Sequence, residues 1–82
     1  MEIKRFYKNQ TEISIAINRL IDKYLNDEIN EDIMIKSIKI IFENNYSKII
    51  KNHDFSKVIK QRCGKRRLDI VSKVIEINLE KN

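Results

Sequence analysis

The chain of 82 residues contains no proline and a single glycine, Gly64. These two residue types are the usual breaks in regular structure, so their near absence favours long helices joined by short polar turns. The sequence therefore predicts one all-α domain over residues 1–82, a small compact bundle of three to four helices. A chain of this length buries only about 60 to 65% of its unfolded surface, so a partner would add to its stability.

Cysteine and histidine are also scarce, with Cys63 and His53 as the only examples. One cysteine cannot form an internal disulfide, and one cysteine with one histidine cannot complete a zinc site. We therefore expect no metal, no cofactor and a reducing, cytoplasmic location. The longest apolar runs have three residues, as at Ile40-Ile41-Phe42. Such runs are far too short for a membrane span or for the core of a signal peptide.

Polar capping residues and apolar periodicity divide the first half of the chain into two helices. The first is predicted to be capped by Thr11 and to end near Asn26 and Asp27. Asn30, followed by two acidic residues, is predicted to cap a second helix that ends near Asn44. Apolar residues cover more than half the circumference of this second helix, so we expect it to be the central helix of the bundle.

The second half of the chain has a polar break at Asn52 to Asp54 and a second break at Gly64. A helix is predicted from about Asp54 or Phe55 to Arg62, with Gly64 as the left-handed residue that ends it. The last helix is predicted to begin at Lys65 and to end near Leu79. Residues 55–79 are therefore a candidate helix-turn-helix variant with the turn at Gly64.

Positive charge is concentrated in one short segment. Residues 1–43 hold 7 basic and 8 acidic side chains, a balance of −1, whereas residues 44–82 hold 10 and 4, a balance of +6. The two halves together give the formal net charge of +5. Within residues 57–67 there is no acidic side chain. We refer to the cations of this segment as the basic block, which consists of Lys57, Lys60, Arg62, Lys65, Arg66 and Arg67.

The basic block predicts an anionic partner. Lys65, Arg66 and Arg67 open a predicted helix, where the helix dipole repels positive side chains, and a local conflict of this kind is typical of a functional site. Free backbone N–H groups at a helix start also bind phosphate. We therefore predict a nucleic-acid contact, with duplex DNA as the expected form. Two alternatives stay open: docking on an acidic protein, and a solvated face paired with Asp69, Glu76 or acidic residues of the first helix.

Catalysis has little support, because His53 is accompanied by no catalytic carboxylate pair and no glycine-rich phosphate loop. Cys63, which lies among cations, is either a thiolate with a lowered pKa or a small core residue. We predict a protein that is not an enzyme. The aromatic residues are dispersed along the sequence, so they are predicted to belong to the core and not to a base-stacking platform: Phe6, Tyr7, Tyr24, Phe42, Tyr46 and Phe55.

Some apolar residues lie off the predicted core faces. Ile70 and Ile77 lie nearly opposite Leu68 and Ile75 on the last helix, and Ile15 lies opposite the apolar face of the first helix. Isolated apolar residues are common on protein surfaces and need no explanation. The alternative is a homodimer in which Ile70 and Ile77 are buried against a second copy.

Two stretches of the sequence carry a resemblance: Phe6-Tyr7-Lys8-Asn9-Gln10, and the segment from Val58 to Leu68 that contains Cys63-Gly64-Lys65-Arg66-Arg67. They resemble an uncharacterised family of short, Lys- and Ile-rich proteins from low-G+C Gram-positive bacteria. The resemblance implies a compact stand-alone protein and no particular activity. By analogy with short basic proteins of phages and mobile elements, we expect a non-enzymatic DNA-binding regulator or recombination accessory. The competing class is an adaptor that docks on a larger acidic protein and does not bind nucleic acid.

Overall fold

The structure is a computed structural model that describes residues 4–80, with side chains described for residues 4–76. Its elements are, in order, α1 (Gln10–Leu25), α2 (Glu31–Ile49), β1 (Ile50–Lys51), β2 (Asp54–Phe55) and α3 (Lys57–Glu80). The two strands form an antiparallel hairpin. The prediction of a mostly helical bundle is confirmed, and the hairpin is a short element that the all-α prediction missed. No helix within residues 4–80 is long and apolar enough to cross a membrane.

Asparagine side chains cap the first two helices. Asn9 accepts a hydrogen bond from the N–H of Glu12 at 2.9 Å, and Asn30 accepts one from the N–H of Ile33 at 2.9 Å. The predicted cap at Asn30 is confirmed. Thr11 was predicted to cap α1 but lies inside it, because Asn9 supplies the acceptor two residues earlier.

The central helix is α1, and the prediction that the second helix would be central is wrong. α1 packs against both α2 and α3, and more extensively than these two pack against each other. Ile33 of α2 is 39% exposed, so part of the wide apolar surface of α2 faces solvent. Among the side chains that the structure describes, the core between the helices consists of Ile13, Ile17, Leu20, Ile21, Met34, Ile38, Ile41, Phe42, Ile49, Ile59, Cys63, Leu68, Val71 and Val74.

α2 bends at Asn45, whose φ of −136° and ψ of 20° are not helical. The bend coincides with the predicted end of the second helix. The Asn45 side chain is buried, accepts a hydrogen bond from the N–H of Tyr7 at 3.2 Å, and donates to the carbonyls of Arg5 at 2.7 Å and Ile41 at 2.9 Å. The bend therefore anchors residues 4–9 across the end of α2.

The hairpin turns on Asn52 and His53, whose φ angles are 51° and 67°. Positive φ at both central positions is the requirement of a type I′ turn, and Asn and His adopt positive φ more readily than most residues. The turn lacks the Asn-Gly pair that usually signals such a hairpin in a sequence. Its second strand leads to Ser56, whose hydroxyl accepts a hydrogen bond from the N–H of Ile59 at 3.3 Å. α3 therefore begins at Lys57, slightly later than predicted.

Candidate nucleic-acid interface

α3 is interrupted at Gly64, in the middle of the basic block. Gly64 has a φ of 81° and a ψ of 165°, a backbone region that only glycine enters readily. The predicted positive φ is confirmed, but the ψ angle is extended and not the value of about 47° found in the left-handed helical region. We refer to residues 57–63 of α3 as the entry segment and to residues 65–80 as the exit segment.

One side chain of α1 and one of the exit segment bind the carbonyl groups that precede the break. A helix end leaves its last carbonyls without helical donors, and they need other partners when they are buried. The amide of Asn18 on α1 donates to the carbonyl of Arg62 at 3.0 Å. From the exit segment, the guanidinium of Arg67 donates to the carbonyl of Cys63 at 3.2 Å. These two bonds hold the entry segment in position relative to α1 and the exit segment.

Arg67 also binds Asp22 of α1 through two parallel hydrogen bonds. Its Nε lies 3.0 Å from Oδ1 of Asp22, and its NH2 lies 2.9 Å from Oδ2. Both side chains are half-buried. The hydrogen bond from Arg67 lowers the pKa of the Asp22 carboxyl, and the same bond raises the pKa of Arg67. One member of the basic block is thus paired with an acidic residue of the first helix, as the solvated-face alternative expects.

Lys60 of the entry segment forms an ion pair with Asp54 of β2. The hydrogen bond from Lys60, together with one from the backbone N–H of Phe55, lowers the pKa of Asp54. Both charged side chains are more than half exposed, and exposed pairs of this kind contribute little to stability. Lys60 can therefore release Asp54 and bind another anion.

The other four cations of the basic block are exposed, and none of them takes part in a salt bridge among the residues that the structure describes. These four are Lys57, Arg62, Lys65 and Arg66. Lys65 and Arg66 are the first two residues of the exit segment, so their side chains flank the start of a helix. Asp69 and Glu76, the other suggested partners, are exposed further along the exit segment and form no salt bridge in the same described part.

An open groove of about 360 Å³ lies between the hairpin and the two segments of α3. Its lining consists of Phe55, Lys60, Lys65, Leu68, Asp69 and Ser72. The break at Gly64 thus brings Lys60 of the entry segment and Lys65 of the exit segment to one groove. Phe55 and Leu68 supply an apolar part that the sequence did not indicate, because the hairpin that positions Phe55 was not predicted. Lys60 and Lys65 outnumber Asp69 among the charged lining residues, so the groove can accept an anionic group beside an apolar one.

Cys63 is a core residue, and the hypothesis of a reactive thiolate is wrong. Its side chain is 2% exposed, and its sulfur lies 3.9 Å from the carbonyl oxygen of Ser14 on α1. Burial raises the pKa of the Cys63 thiol despite the nearby cations. Within the described residues there is also no cluster of three or more His, Cys, Asp or Glu side chains that could hold a metal ion.

Two of the aromatic residues predicted for the core lie on the surface. Phe6 is 65% exposed and Tyr46 is 58% exposed, whereas Phe42 is buried. The prediction is wrong for Phe6 because residues 4–9 cross the bend of α2 without forming a helix, and Tyr7 is the residue that packs against the core. Tyr46 follows the non-helical Asn45, so the helical periodicity used for the prediction does not hold there.

The apolar residues suggested for a dimer contact are only partly described. Ile70 is half-buried and packs against the core, and Ile15 on α1 is 48% exposed. The side chain of Ile77 lies outside the described residues. A homodimer through Ile70 and Ile77 stays a prediction.

Comparison with known proteins gives a family and no function. A family model described as "Conserved hypothetical protein" matches residues 4–76, which include the entry segment and most of the exit segment. No curated protein and no solved structure matches the sequence. The expected resemblance to an uncharacterised family is therefore confirmed at this level.

Proposed function

We propose that this chain, which belongs to the family described as "Conserved hypothetical protein", is a small, non-enzymatic DNA-binding protein. In this proposal it acts as a regulator or recombination accessory. The contact surface is the basic block on either side of Gly64. Lys57, Arg62, Lys65 and Arg66 supply the exposed positive charges, and Lys60 joins them when phosphate replaces Asp54. Arg67 supports the surface through its bonds to Asp22 and to the carbonyl of Cys63.

The observation that carries the proposal is the set of exposed, unpaired cations around the break. Asp69 lies one helical turn after Lys65 and Arg66 but forms no salt bridge with either of them, and Glu76 lies two further turns along the exit segment. A phosphate that approaches the start of the exit segment meets Lys65, Arg66 and the positive end of the helix dipole together. Such contacts position a protein on duplex DNA without reading its sequence.

The geometry of α3 favours a variant of the helix-turn-helix over the standard motif. A standard motif joins its helices by a turn of about three to four residues, whereas here Gly64 alone separates the entry and exit segments. The exit segment takes the place of the recognition helix, and its first residues, Lys65 and Arg66, are nearest to the DNA backbone. We expect phosphate contacts to dominate and base contacts to be few.

Fluorescence polarisation with a labelled duplex of random sequence, at two salt concentrations, tests the proposal. We expect measurable binding at low salt that weakens steeply as salt rises, because each phosphate contact releases counterions. Polyglutamate with the same total negative charge as the duplex serves as the competitor control, and it should displace the DNA poorly. A folded protein that shows no binding at low salt would contradict the proposal.

A second candidate function is an adaptor that docks on an acidic protein, and the groove favours it. Phe55 and Leu68 lie beside Lys60 and Lys65, which suits a peptide that carries both acidic and apolar side chains. Ser72→Phe should fill the groove without a change of charge. Under the adaptor function this variant loses its protein partner, whereas under the DNA-binding function it keeps its affinity for duplex DNA.

A homodimer through Ile70 and Ile77 is compatible with either function, because it would place two basic blocks on one assembly. Sedimentation of the chain at increasing concentration tests it directly. A monomeric mass that persists up to about a millimolar would remove the dimer, since this limit corresponds to about 4 kcal/mol of association free energy.

A further inference from the structure

A second surface of the molecule carries exposed aromatic rings beside cations. Phe6 and Tyr46 are 65% and 58% exposed, the two highest values among the exposed large apolar side chains of the described residues. They belong to segments that are distant in sequence, yet the structure holds these segments together. Arg5 and Tyr7, on either side of Phe6, both bond through their backbones to Asn45, the residue before Tyr46.

Ordered structure holds the ring of Tyr46 and the backbone of Phe6. The ring of Tyr46 packs edge-on against Phe42, with centroids 6.5 Å apart and an angle of 68° between the rings. The backbone of Phe6 lies between the two bonds to Asn45, and the amine of Lys48 donates to the carbonyl of Tyr7 at 2.7 Å. Binding of a ligand therefore orders little of the protein beyond the side chain of Phe6, and this small entropy cost favours binding.

The two segments that carry these rings are cationic and polar. Arg5, Lys8 and Lys48 are exposed. Lys4 lies over the ring of Tyr7, 5.3 Å from its centroid, and pairs with Glu12 at 3.6 Å. Glu43 is an exposed acidic residue one helical turn before Tyr46, so the balance of charge here is positive.

We infer that Phe6 and Tyr46 form a stacking site for the unpaired bases of a single-stranded nucleic acid, with Arg5, Lys8 and Lys48 placed for its phosphates. Aromatic rings with interspersed cations are the usual platform for single strands, because bases stack on the rings while the phosphates follow the positive charges. This inference concerns a surface separate from the basic block and does not depend on the binding of duplex DNA by α3.

The composition of the surface argues against other occupants. Residues 4–9 and 44–48 contain no aliphatic residue. A membrane-surface site or the groove for an amphipathic helix presents aliphatic side chains beside its aromatic ones. A surface of separate rings and cations instead matches the alternation of base and phosphate along a single strand.

The absence of tryptophan from the chain allows a direct test. The variant Phe6→Trp places one tryptophan on this surface, where a stacked base quenches its fluorescence. The probes are a short oligothymidylate and an abasic oligonucleotide of the same length, which carries the phosphates without the bases. We expect saturable quenching by oligothymidylate and affinity at least about fivefold higher than for the abasic strand.

Ring deletions complete the test in the otherwise unchanged protein, with polarisation of labelled oligothymidylate as the measurement. Phe6→Ala and Tyr46→Ala should each weaken binding by about fivefold or more, whereas Tyr46→Phe, which retains the ring, should bind as the parent does. Ile15→Ala, at an exposed apolar position on α1, is the matched control and should change nothing. If Tyr46→Ala loses helicity, Phe6→Ala decides the result alone, because Phe6 lies mostly in solvent.

Three results would overturn the inference. Equal affinity for the abasic and the base-containing strand would show that charge alone is responsible. Unchanged affinity in Phe6→Ala would show that the ring takes no part. A blue shift of the Phe6→Trp fluorescence on anionic phospholipid vesicles, with no response to oligothymidylate, would show that the surface binds membranes.

Discussion

Arg67 joins the start of the exit segment to α1 by two hydrogen bonds to Asp22, at 3.0 and 2.9 Å. The same guanidinium donates to the carbonyl of Cys63 across the break at Gly64. Its neighbour Arg66 is exposed and takes part in no salt bridge among the described residues. Two adjacent arginines of identical chemistry therefore have different roles, one in the fold and one at the surface.

This difference predicts that Arg67→Gln destabilises the protein and Arg66→Gln does not. Removal of a bidentate, half-buried arginine should lower the free energy of unfolding by about 1 kcal/mol, a value that allows for solvent screening of the pair. The exposed Arg66 should contribute less than about 0.5 kcal/mol. Urea unfolding followed by circular dichroism measures both. Equal stabilities of the two variants would refute a structural role for Arg67.

The pairing also predicts how stability depends on pH. Because the hydrogen bond from Arg67 lowers the pKa of folded Asp22, the pair stabilises the protein above the unfolded pKa of about 3.9 and loses this effect as pH falls through the folded pKa. The stability difference between the parent and Arg67→Gln should be constant from about pH 5 to 7 and shrink below about pH 4. Asp22→Asn provides the control background. In that background, the stability difference caused by Arg67→Gln should not shrink as the pH falls. A difference that stays constant under acid conditions would be inconsistent with the pair.

Gly64 should tolerate neither alanine nor asparagine. An added Cβ would meet no atom within 4 Å, so the cost of substitution is backbone strain alone, about 1 to 3 kcal/mol. Asparagine adopts the left-handed helical region readily but has no such preference at a ψ of 165°, so Gly64→Asn should lose as much stability as Gly64→Ala. Thermal unfolding measures both variants. Parent-like stability of Gly64→Asn would mean that the break is an ordinary left-handed helix end.

Asn45 should be far more important than its neighbour Asn44. Asn45→Ala removes three hydrogen bonds to the backbone of residues in two segments and should cost about 1 to 3 kcal/mol. Asn44 donates one hydrogen bond to the carbonyl of Ile40 within its own helix, so Asn44→Ala should have a small effect. Hydrogen exchange at the amide of Tyr7 gives a local measurement. We expect fast exchange in Asn45→Ala and parent-like exchange in Asn44→Ala, and protection in both would contradict the anchoring role.

Local signals in the sequence predict the helices well. Asn30 caps α2 as expected, and the break at Gly64 follows from the conformational freedom of the only glycine in the chain. The hairpin is not predictable in the same way, because Asn52 and His53 carry a weaker turn signal than Asn-Gly. The central position of α1 depends on how the apolar faces of the three helices pack against one another. The sequence pattern of a single helix does not contain this information.

The charge pattern predicts the location of the basic block but not the roles of its members. Whether Arg67 is a surface cation depends on Asp22, which lies 45 residues away in the sequence. The exposure of Phe6 and Tyr46 depends likewise on the tertiary bonds of Asn45. Contacts between distant segments decide both outcomes, and apolar periodicity carries no information about them.

The salt dependence of duplex DNA binding by the double variant Lys65→Gln, Arg66→Gln tests the DNA-binding role of the basic block most directly. Arg67 is left in place so that the fold is retained. If both side chains bind phosphates, the slope of log K against log salt should become shallower by about 1.8, or about 0.9 for each phosphate that is no longer neutralised. The control Arg19→Gln, Lys36→Gln also removes one arginine and one lysine, from exposed positions on α1 and α2. It should leave the slope nearly unchanged. A slope and affinity in the Lys65→Gln, Arg66→Gln protein equal to those of the control would contradict the assignment of the basic block as the DNA-binding surface.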